Sequence, residues 1–353
     1  MRYRLLGNSG LRVSEIALGT MTFGAEGWGT GEGEAGAIYS AFRDAGGNFV
    51  DTANEIYAAG RSEEYLGRLI TGHRHEVVIA TKYTDAPPGT DPNAAGNSRK
   101  SMVQSVERSL RRLGTDYVDL LWVHAWDFLT PETEVMRALD DLVRSGKVLY
   151  VGISDAPAWV VARCHTIAEL RGWSPFVGLQ IEYNLIERTP ERELLPMARA
   201  LDITVVAWSP LASGILSGKY ADDGRVGQGG RRLDTVSFRA LDERSLAVAR
   251  AVGDVAAQLG RSSPQVALAW LRQRQPAQVI PIIGARTVAQ FEDNAGCLLV
   301  TLDADIMTRL DEVSAVSMGF PTDFLATTSE PTYGGMLERI DFHRDRGMWP
   351  APE

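Results

Sequence analysis

Short apolar runs recur along the chain, and each is followed by a segment in which apolar residues return every three or four positions. A short apolar run is typical of a buried strand, whereas the longer period is typical of a helix with one buried face. The strand-like runs are EIALGT (15–20), NFVDT (48–52), VVIATK (77–82), VDLLWVH (118–124), VLYVGIS (148–154), FVGLQIE (176–182), ITVVAWS (203–209) and QVIPIIG (278–284). The pattern therefore predicts strands that alternate with helices.

The segments between these runs carry the signals that begin and end helices. Ser98 stands where a serine caps the first backbone N–H groups, and Ser62 begins a helix with two glutamates in its first turn. Pro131 occupies a first-turn position in a segment that ends at Gly146. Helical spacing covers residues 35–45, 98–113, 131–145, 157–171, 190–201, 241–259 and 264–274.

Eight strand–helix units without interruption favour one all-parallel sheet. Eight is also the number that closes into a (β/α)₈ barrel, the TIM-barrel fold, and the length of the chain suits one. An open, doubly wound sheet is the alternative, but LGTMTFGAEG after the first run does not fit its usual G-x-G-x-x-G turn. We therefore expect a single α/β domain over residues 1–353, with the barrel at about 15–315.

Three stretches fall outside the repeat. The N-terminal YRLLGNSGLRVS predicts a short β-hairpin that turns at residues 8–10 and plugs the bottom of the barrel. A long loop at 210–240 follows the seventh run, and a tail rich in Gly, Pro and aromatic residues occupies 316–353. Long loops on the active face of a barrel are often lids, so the first of these is a candidate lid.

Charge and composition narrow the classes of function. A net charge of −9 argues against a nucleic-acid surface, and the arginines at 225–232 suit a small phosphate ligand equally well. The two cysteines, Cys164 and Cys297, are too few for a disulfide framework or a metal cluster, which predicts reduced, buried thiols. The start MRYRLLGNSG lacks the apolar core of a signal peptide, and no run is long enough to span a bilayer. We expect a cytoplasmic protein that binds neither nucleic acid nor membrane.

Polar residues end the apolar runs, and in barrel enzymes the chemistry lies where the strands end. Three consecutive runs end in an acid, a cation and an imidazole, namely Asp51, Lys82 and His124. The later runs end at or near Ser154, Gln180, Trp208, Ser209, Gly284 and Arg286. All of these side chains would converge on the mouth of the barrel.

Tyr57, on the loop after the second run, completes a set suited to proton transfer. A phenol has a free pKa near 10, and a nearby ammonium such as that of Lys82 lowers it. Asp51 could hold Lys82 charged while His124 hydrogen-bonds the reacting oxygen, which suits protonation of a carbonyl oxygen. A purely structural interpretation stays open: a loop aromatic, an ion pair and a core histidine.

Five segments are similar to those of the aldo-keto reductases, which are NADPH-dependent (β/α)₈ barrels. They are GGNFVDTANEIYAAGRSEEYLG, VVIATKY, LGTDYVDLLWVH, WSPLASGILSGKY and IPIIGARTVAQFEDN. The first is close to the family pattern D-T-A-x-x-Y-x-x-G-x-S-E. The resemblance runs from about residue 2 to about 315, and it is strongest to the bacterial and potassium-channel-β-like branch.

The resemblance implies roles for individual residues. Tyr57 would be the general acid, Lys82 would lower its pKa, Asp51 would support Lys82, and His124 would orient the carbonyl. Ser154 and Gln180 would contact the nicotinamide carboxamide of NADPH, and Trp208 would stack on its ring. The other implied cofactor contacts are Gly19, Thr20 and Met21 at the nicotinamide; Ser209, Pro210, Leu211, Ser213, Gly214, Leu216 and Lys219 along the pyrophosphate loop; and Gly284, Arg286, Gln290, Asp293 and Asn294 at the adenosine 2′-phosphate end.

Aromatic residues near the strand ends suggest a pocket for apolar or aromatic aldehydes and ketones. The candidate walls are Phe23, Trp28, Tyr83 and Trp126, with Phe320 and Phe324 of the tail closing over them. Ordinary loop packing explains each of these aromatics equally well.

One position departs from the family. After the fifth run the family usually has Ser-Asn, whereas this chain has Ser154 followed by Asp155. An asparagine side chain donates and accepts hydrogen bonds, but a carboxylate only accepts and adds negative charge. The departure puts the geometry of nicotinamide binding in question, and not the class of reaction.

The sequence predicts an NADPH-dependent reductase of small carbonyl substrates. The alternative is an NADPH-binding regulatory subunit with little turnover, as some relatives of this branch are, and such a subunit would keep the same four residues. A third interpretation is an aldolase with Lys82 as Schiff base. The dinucleotide-binding segments argue against it. Assembly into a homo-oligomer stays open, because relatives of this branch assemble.

Overall fold

The computed structural model of the protein describes residues 1–89, 91–220, 241–274, 277–336 and 339–341. Most of the candidate lid, with the arginines at 225–232, and the end of the tail lie outside these residues. Every residue that the sequence assigns to the site lies within them.

Eight parallel strands close into a barrel, which confirms the predicted (β/α)₈ fold. Each strand pairs with its neighbours in the chain, and the last pairs with the first to close the ring. The barrel strands are β3 (Ala17–Gly19), β4 (Phe49–Asp51), β5 (Val78–Tyr83), β6 (Val118–Val123), β7 (Val148–Ser154), β8 (Phe176–Glu182), β9 (Thr204–Trp208) and β10 (Val279–Ile283). Because they are buried on both faces, most of them read as continuous apolar runs.

Helices cover the outside of the barrel. They are α1 (Glu32–Asp44), α2 (Arg61–Leu69), α3 (Arg99–Leu113), α4 (Glu132–Arg144), α5 (Ala158–Arg171), α6 (Leu194–Ala200), α7 (Glu243–Leu259), α8 (Ser263–Gln273), α9 (Val288–Ala295), α10 (Ala304–Val313), and two short helices in the tail, α11 (Thr322–Thr327) and α12 (Ser329–Thr332). Ser98 caps α3, its side chain accepting from the Ser101 N–H at 3.3 Å. Pro131 lies one residue before α4 rather than in its first turn.

The alternation of side chains along each strand sorts the barrel residues into two sets. Phe49, Ala80, Leu120 and Trp122 belong to a cluster inside the barrel. Their neighbours one position away pack between the strands and the helices. Since residues two apart share a face, Asp51, Lys82 and His124 continue the interior set toward the carboxyl ends of their strands.

A hairpin closes the other end of the barrel. Strands β1 (Tyr3–Leu5) and β2 (Arg12–Ser14) pair antiparallel. Leu6, which follows β1, and Val13 of β2 are fully buried in the interior cluster. The predicted plug at the bottom of the barrel is therefore present, and the open end is the one that carries the polar strand ends.

Two further expectations concern the rest of the chain. Cys164 and Cys297 are buried and free, and burial raises the pKa of each thiol to about 12. Among the helices that the structure describes, none is long and apolar enough to cross a bilayer.

Candidate active site

The four residues of the predicted proton-transfer set meet at the mouth of the barrel. Lys82, fully buried on β5, donates from Nζ to the Asp51 carboxylate of β4 and to the Thr52 carbonyl oxygen at 2.7 Å. Its Nζ lies 5.1 Å from the centroid of the Tyr57 ring. The Tyr57 and His124 rings meet edge to face, with centroids 6.2 Å apart. Residues from three strands and one loop thus surround one small space.

The charge of Lys82 is maintained in spite of its burial. Burial alone would lower the pKa of Lys82, but the Asp51 carboxylate and Tyr57 act through charge and hydrogen bonds to raise it above its usual value. Lys82 is therefore an ammonium at neutral pH. Such a cation beside a phenol stabilises the phenolate relative to the neutral form.

Asp51 is held by more than the lysine. Its Oδ1 accepts from Trp122 Nε1 at 3.0 Å and from Gln180 Nε2 at 2.8 Å. The Trp122 indole fits inside the barrel because Gly152 and Gly178 face it, where a Cβ would lie 2.4 and 2.7 Å from the ring. Sequence reasoning missed Trp122, because a tryptophan inside an apolar strand looks like ordinary core.

His124 is a neutral imidazole in this setting. Burial, helped by the charge of Lys82, lowers the pKa of His124 to about 3. Its Nδ1 lies 3.1 Å from Asp85 Oδ2, but without the geometry of a hydrogen bond. Asp85, two residues beyond the end of β5, was also missed by sequence reasoning. It stands beside the imidazole on the loop that follows Lys82.

The loop that carries Tyr57 is anchored on α3. Glu55 receives ion pairs from Arg108 at 2.7 Å and from Arg112 at 2.9 Å. Glu63, fully buried in the first turn of α2, accepts from Arg112 Nε at 2.7 Å and from the Thr81 hydroxyl at 2.7 Å. Arg112 thereby holds the segment on both sides of Tyr57.

The residues expected around a nicotinamide lie at the ends of β7, β8 and β9. The Ser154 hydroxyl is buried and makes no hydrogen bond of normal geometry to the residues that the structure describes. Trp208 Nε1 donates to Asp155 Oδ1 at 3.1 Å. Gln180 directs one amide hydrogen to Asp51, so only part of its amide remains for a ligand.

The expected pyrophosphate loop has an unusual backbone. Ser209, Ala212, Ser213 and Gly214 all have φ between 49° and 94°, and the Ser209 hydroxyl accepts from the Ser213 N–H at 3.1 Å. Turns with left-handed residues collect backbone N–H groups into concave anion sites. Pro210 and Leu216 are buried, Leu211 is half-buried and Lys219 is exposed.

The expected adenosine end lies where β10 leads into α9. Arg286 precedes that helix, and its backbone N–H donates to Gln290 Oε1 at 2.9 Å. The Asp293 carboxylate accepts from Ser262 and Gln265 of the neighbouring helix, both at 3.0 Å. Gly284 is exposed and Asn294 is buried. Asp293 is thus engaged within the protein, whereas Gly284 is open to a ligand.

Two residues of the segment at the end of β3, expected to contact the nicotinamide, make contacts within the protein. The Thr20 hydroxyl bonds the Asp51 carbonyl oxygen and the Ser62 hydroxyl, at 3.2 and 2.8 Å. A Cβ on Gly19 would lie 2.6 Å from Ile282, so this glycine lets β3 and β10 approach closely. Met21 is half-buried. Thr20 therefore ties this loop to α2, which carries Ser62.

Three of the four expected aromatic walls are buried, and Trp28 is the more accessible one. Phe23 and Tyr83 are fully buried in the cluster between strands and helices, so neither side chain lines the mouth. Tyr83 follows Lys82 directly, and strand alternation turns it to the opposite face. Trp28 is half-buried, whereas Trp126, on the loop after β6, is only 7% exposed and belongs to the same cluster as Phe23 and Tyr83. The tail residues Phe320 and Phe324 are exposed rather than closed over a pocket.

Comparison with known proteins gives one family and a consistent set of relatives. Residues 15–315 match the model of the aldo/keto reductase family. The norsolorinic acid reductase stcV of Emericella nidulans is 38% identical over 337 residues, which are 92% of this chain and 84% of that protein. The aryl-alcohol dehydrogenase [NADP(+)] of Phanerodontia chrysosporium is 36% identical over 364 residues, covering 98% and 92%. The uncharacterized oxidoreductase YrpG of Bacillus subtilis is 38% identical over 325 residues, covering 89% and 96%.

Proposed function

The chain belongs to the aldo/keto reductase family, a family of oxidoreductases, and on this premise we propose that it reduces aldehyde or ketone carbonyls to alcohols with NADPH. The observation that carries the proposal is the meeting of Tyr57 and His124 above the buried Lys82–Asp51 pair. The arrangement offers a phenol that can donate a proton and a fixed cation beside that phenol. It also offers a neutral imidazole that can hydrogen-bond the carbonyl oxygen of the substrate.

Each residue of the set has a separate role in the proposal. Tyr57 gives its proton to the carbonyl oxygen as that oxygen becomes an alkoxide. Lys82 stabilises the phenolate that remains, and Asp51 keeps Lys82 charged and directed. His124, neutral because of its lowered pKa, hydrogen-bonds the substrate oxygen and fixes its position.

The residues around the mouth fit a nicotinamide nucleotide. Ser154 has a buried hydroxyl without a partner in the described chain, which suits a carboxamide. Gln180 lies opposite it on β8, and Trp208 ends the next strand, β9. The left-handed turn at Ser209–Gly214 suits the pyrophosphate, and Arg286 before α9 suits a 2′-phosphate. When bound, the reduced cofactor supplies the hydride, while the protein positions the substrate and moves the proton.

The substrate class that we propose is aromatic carbonyl compounds. The name of one relative specifies an aryl alcohol. In this chain Trp28 is half-buried on the loop after β3, and Trp126, on the loop after β6, keeps 7% of its surface exposed. Phe128, in the loop that also carries Trp126, is exposed. Aromatic side chains of this kind form the walls of pockets for flat apolar ligands.

The test is an assay of the purified protein with NADPH or NADH and a panel of aromatic and aliphatic aldehydes and ketones. We expect turnover with NADPH and aromatic carbonyls, and a loss of about 10²- to 10⁴-fold in Tyr57→Phe with NADPH binding retained. Tyr150→Phe, which removes a phenol at the bottom of the barrel, is the matched control and should keep full turnover. Undiminished turnover in Tyr57→Phe would refute the assignment of the acid.

One other function remains as an outcome of the same experiment, and the contacts of Lys82 argue against a second, an aldolase. Tight NADPH binding with no turnover across the whole panel would favour a regulatory subunit. An aldolase needs a free amine as nucleophile. Lys82 does not supply one, since it is engaged by Asp51 and Thr52 and its pKa is raised.

A further inference from the structure

Asp155 occupies a fixed position at the mouth of the barrel. It follows β7 directly with φ of 42°, a left-handed conformation that aspartate tolerates better than most residues. Its backbone N–H donates to the Gln180 carbonyl oxygen at 3.2 Å, and its carbonyl oxygen accepts from the Trp126 N–H at 3.4 Å. Its carboxylate accepts from Trp208 Nε1 at 3.1 Å. Two backbone hydrogen bonds therefore hold Asp155 in place, and the Trp208 indole holds its carboxylate.

The electrostatic setting of Asp155 is also defined. Asp155 is exposed at the mouth of the barrel, and partial burial by the surrounding strand ends raises its pKa to about 6. The hydrogen bond from Trp208, the neighbouring Ser154 hydroxyl and the charge of Lys82 lower this pKa, whereas the charge of Glu182 raises it. Above pH 7 the group is a carboxylate, and it belongs to none of the ion pairs among the described residues, since Lys82 pairs with Asp51 and Asp85 lies beside His124.

We propose that the Asp155 carboxylate makes this protein favour the oxidised over the reduced form of its bound nicotinamide nucleotide. The inference rests on the proposed function, which places the nicotinamide between Ser154 and Trp208, the two residues that adjoin Asp155. The oxidised ring carries a positive charge and the reduced ring carries none. A fixed negative charge beside the ring therefore stabilises only the oxidised form.

The consequence is a bias in the direction of the reaction. A complex that favours the oxidised nucleotide together with the alcohol lies further toward carbonyl reduction than one without the charge. An asparagine would fill the same space and accept the same indole N–H, but would lack the charge. The aspartate thus changes the electrostatics of the site and leaves its shape intact.

The test compares dissociation constants of NADP⁺ and NADPH, measured by calorimetry without substrate at pH 8. In Asp155→Asn we expect the ratio of the NADP⁺ constant to the NADPH constant to rise about tenfold over the unmodified protein. Asp85→Asn is the matched control, because it removes a carboxylate of the same size from the mouth beside His124. That control should leave the ratio unchanged.

A second measurement removes the charge of Asp155 by protonation instead of by mutation. Lowering the pH from 8 to 5.5 protonates most of Asp155, so the ratio in the unmodified protein should approach that of Asp155→Asn. The ratio in Asp155→Asn should stay flat. Titration of the 2′-phosphate cancels, because both nucleotides carry it.

The outcomes separate the two proposals. Equal ratios in the unmodified protein and Asp155→Asn at pH 8 would overturn the inference while leaving the reductase intact. An equal rise in Asp85→Asn would also overturn it, since the effect would then belong to the mouth as a whole. Failure of the unmodified protein to bind either nucleotide would overturn the proposed function and the inference with it.

Discussion

His124 shows at the scale of a single residue how burial decides chemical role. Its pKa is lowered to about 3, first by burial and then by the charge of Lys82. Since the imidazole stays neutral, it does not compete with Tyr57 as a proton donor from a charged state. In the proposed mechanism it serves the substrate oxygen through a hydrogen bond, and Lys82 supplies the cation beside Tyr57.

The same shift predicts how stability depends on pH. Below pH 6.5 the unfolded chain binds a proton at His124, whereas the folded chain does not until about pH 3. The folded state therefore loses stability as the pH falls through this window, by up to about 1.4 kcal/mol per pH unit from this residue. Urea unfolding of the protein and of His124→Asn between pH 7.5 and 5 measures the difference in slope.

The variant should show the shallower decline toward acid pH. Groups that titrate elsewhere contribute equally to both proteins and cancel in the comparison. His75→Gln, at an exposed position, should retain the profile of the unmodified protein. Parallel profiles for His124→Asn and the unmodified protein would show that the imidazole takes up its proton in the folded state.

At the scale of elements, the sequence predicted the strands closely but not the contacts between distant segments. All eight barrel strands lie within the predicted runs or extend one residue beyond them, because strands buried on both faces are apolar throughout. Asp51, Lys82 and His124 could be found because strand ends in a barrel share one face. Trp122 could not, because its role depends on two glycines of neighbouring strands.

The loop between β4 and α2 also shows which features the sequence predicts and which depend on contacts between distant segments. Its motif predicts that Tyr57 is functional, but nothing near Glu55 in the chain indicates that Arg108 and Arg112 hold it. Those partners lie more than fifty residues further on. Alternation along β5 also places Lys82 inside the barrel and Tyr83 on the face toward the helices. This alternation can be read from the sequence, and it argues against Tyr83 as a wall of the pocket.

The anchor on α3 predicts a loss of stability when Arg112 is replaced. Arg112→Met leaves the fully buried Glu63 without its cation, and breaking a buried ion pair costs about 3–5 kcal/mol. Arg111→Met, at the adjacent exposed position, is the matched control and should change stability by less than about 0.5 kcal/mol. Chemical denaturation measures both variants.

Glu55→Gln separates positioning from stability. Glu55 is less buried than Glu63, so its loss should cost less stability, while the loop that carries Tyr57 becomes free to move. We expect kcat to fall with the dissociation constant of NADPH unchanged, because the loop positions the acid rather than the cofactor. An unchanged kcat at full occupancy would show that Tyr57 is held by its own contacts alone.

At the scale of the whole molecule, the two ends of the barrel have different roles. The closed end contributes apolar packing and stability, and the open end carries the polar residues of the site. The bottom is closed by Leu6 and Val13, which pack with Phe49 inside the barrel. The open end carries Asp51 two residues further along the same strand as Phe49. The apolar packing at the bottom of the barrel therefore stabilises the strands that carry the site, although none of these three apolar side chains belongs to the site.

Leu6→Ala tests this division. Truncating a fully buried leucine costs about 2–5 kcal/mol, so the midpoint of unfolding should fall clearly, whereas Leu5→Ala, at an exposed neighbouring position, should change it little. At a temperature well below the unfolding transition, kcat and KM of Leu6→Ala should match those of the unmodified protein, because the cavity opens at the end opposite Tyr57. A fall in kcat while the variant is still fully folded would instead mean that Phe49 moves into the cavity and that this movement displaces Asp51. The barrel interior would then transmit packing changes to its mouth, and the division between the two ends would not hold.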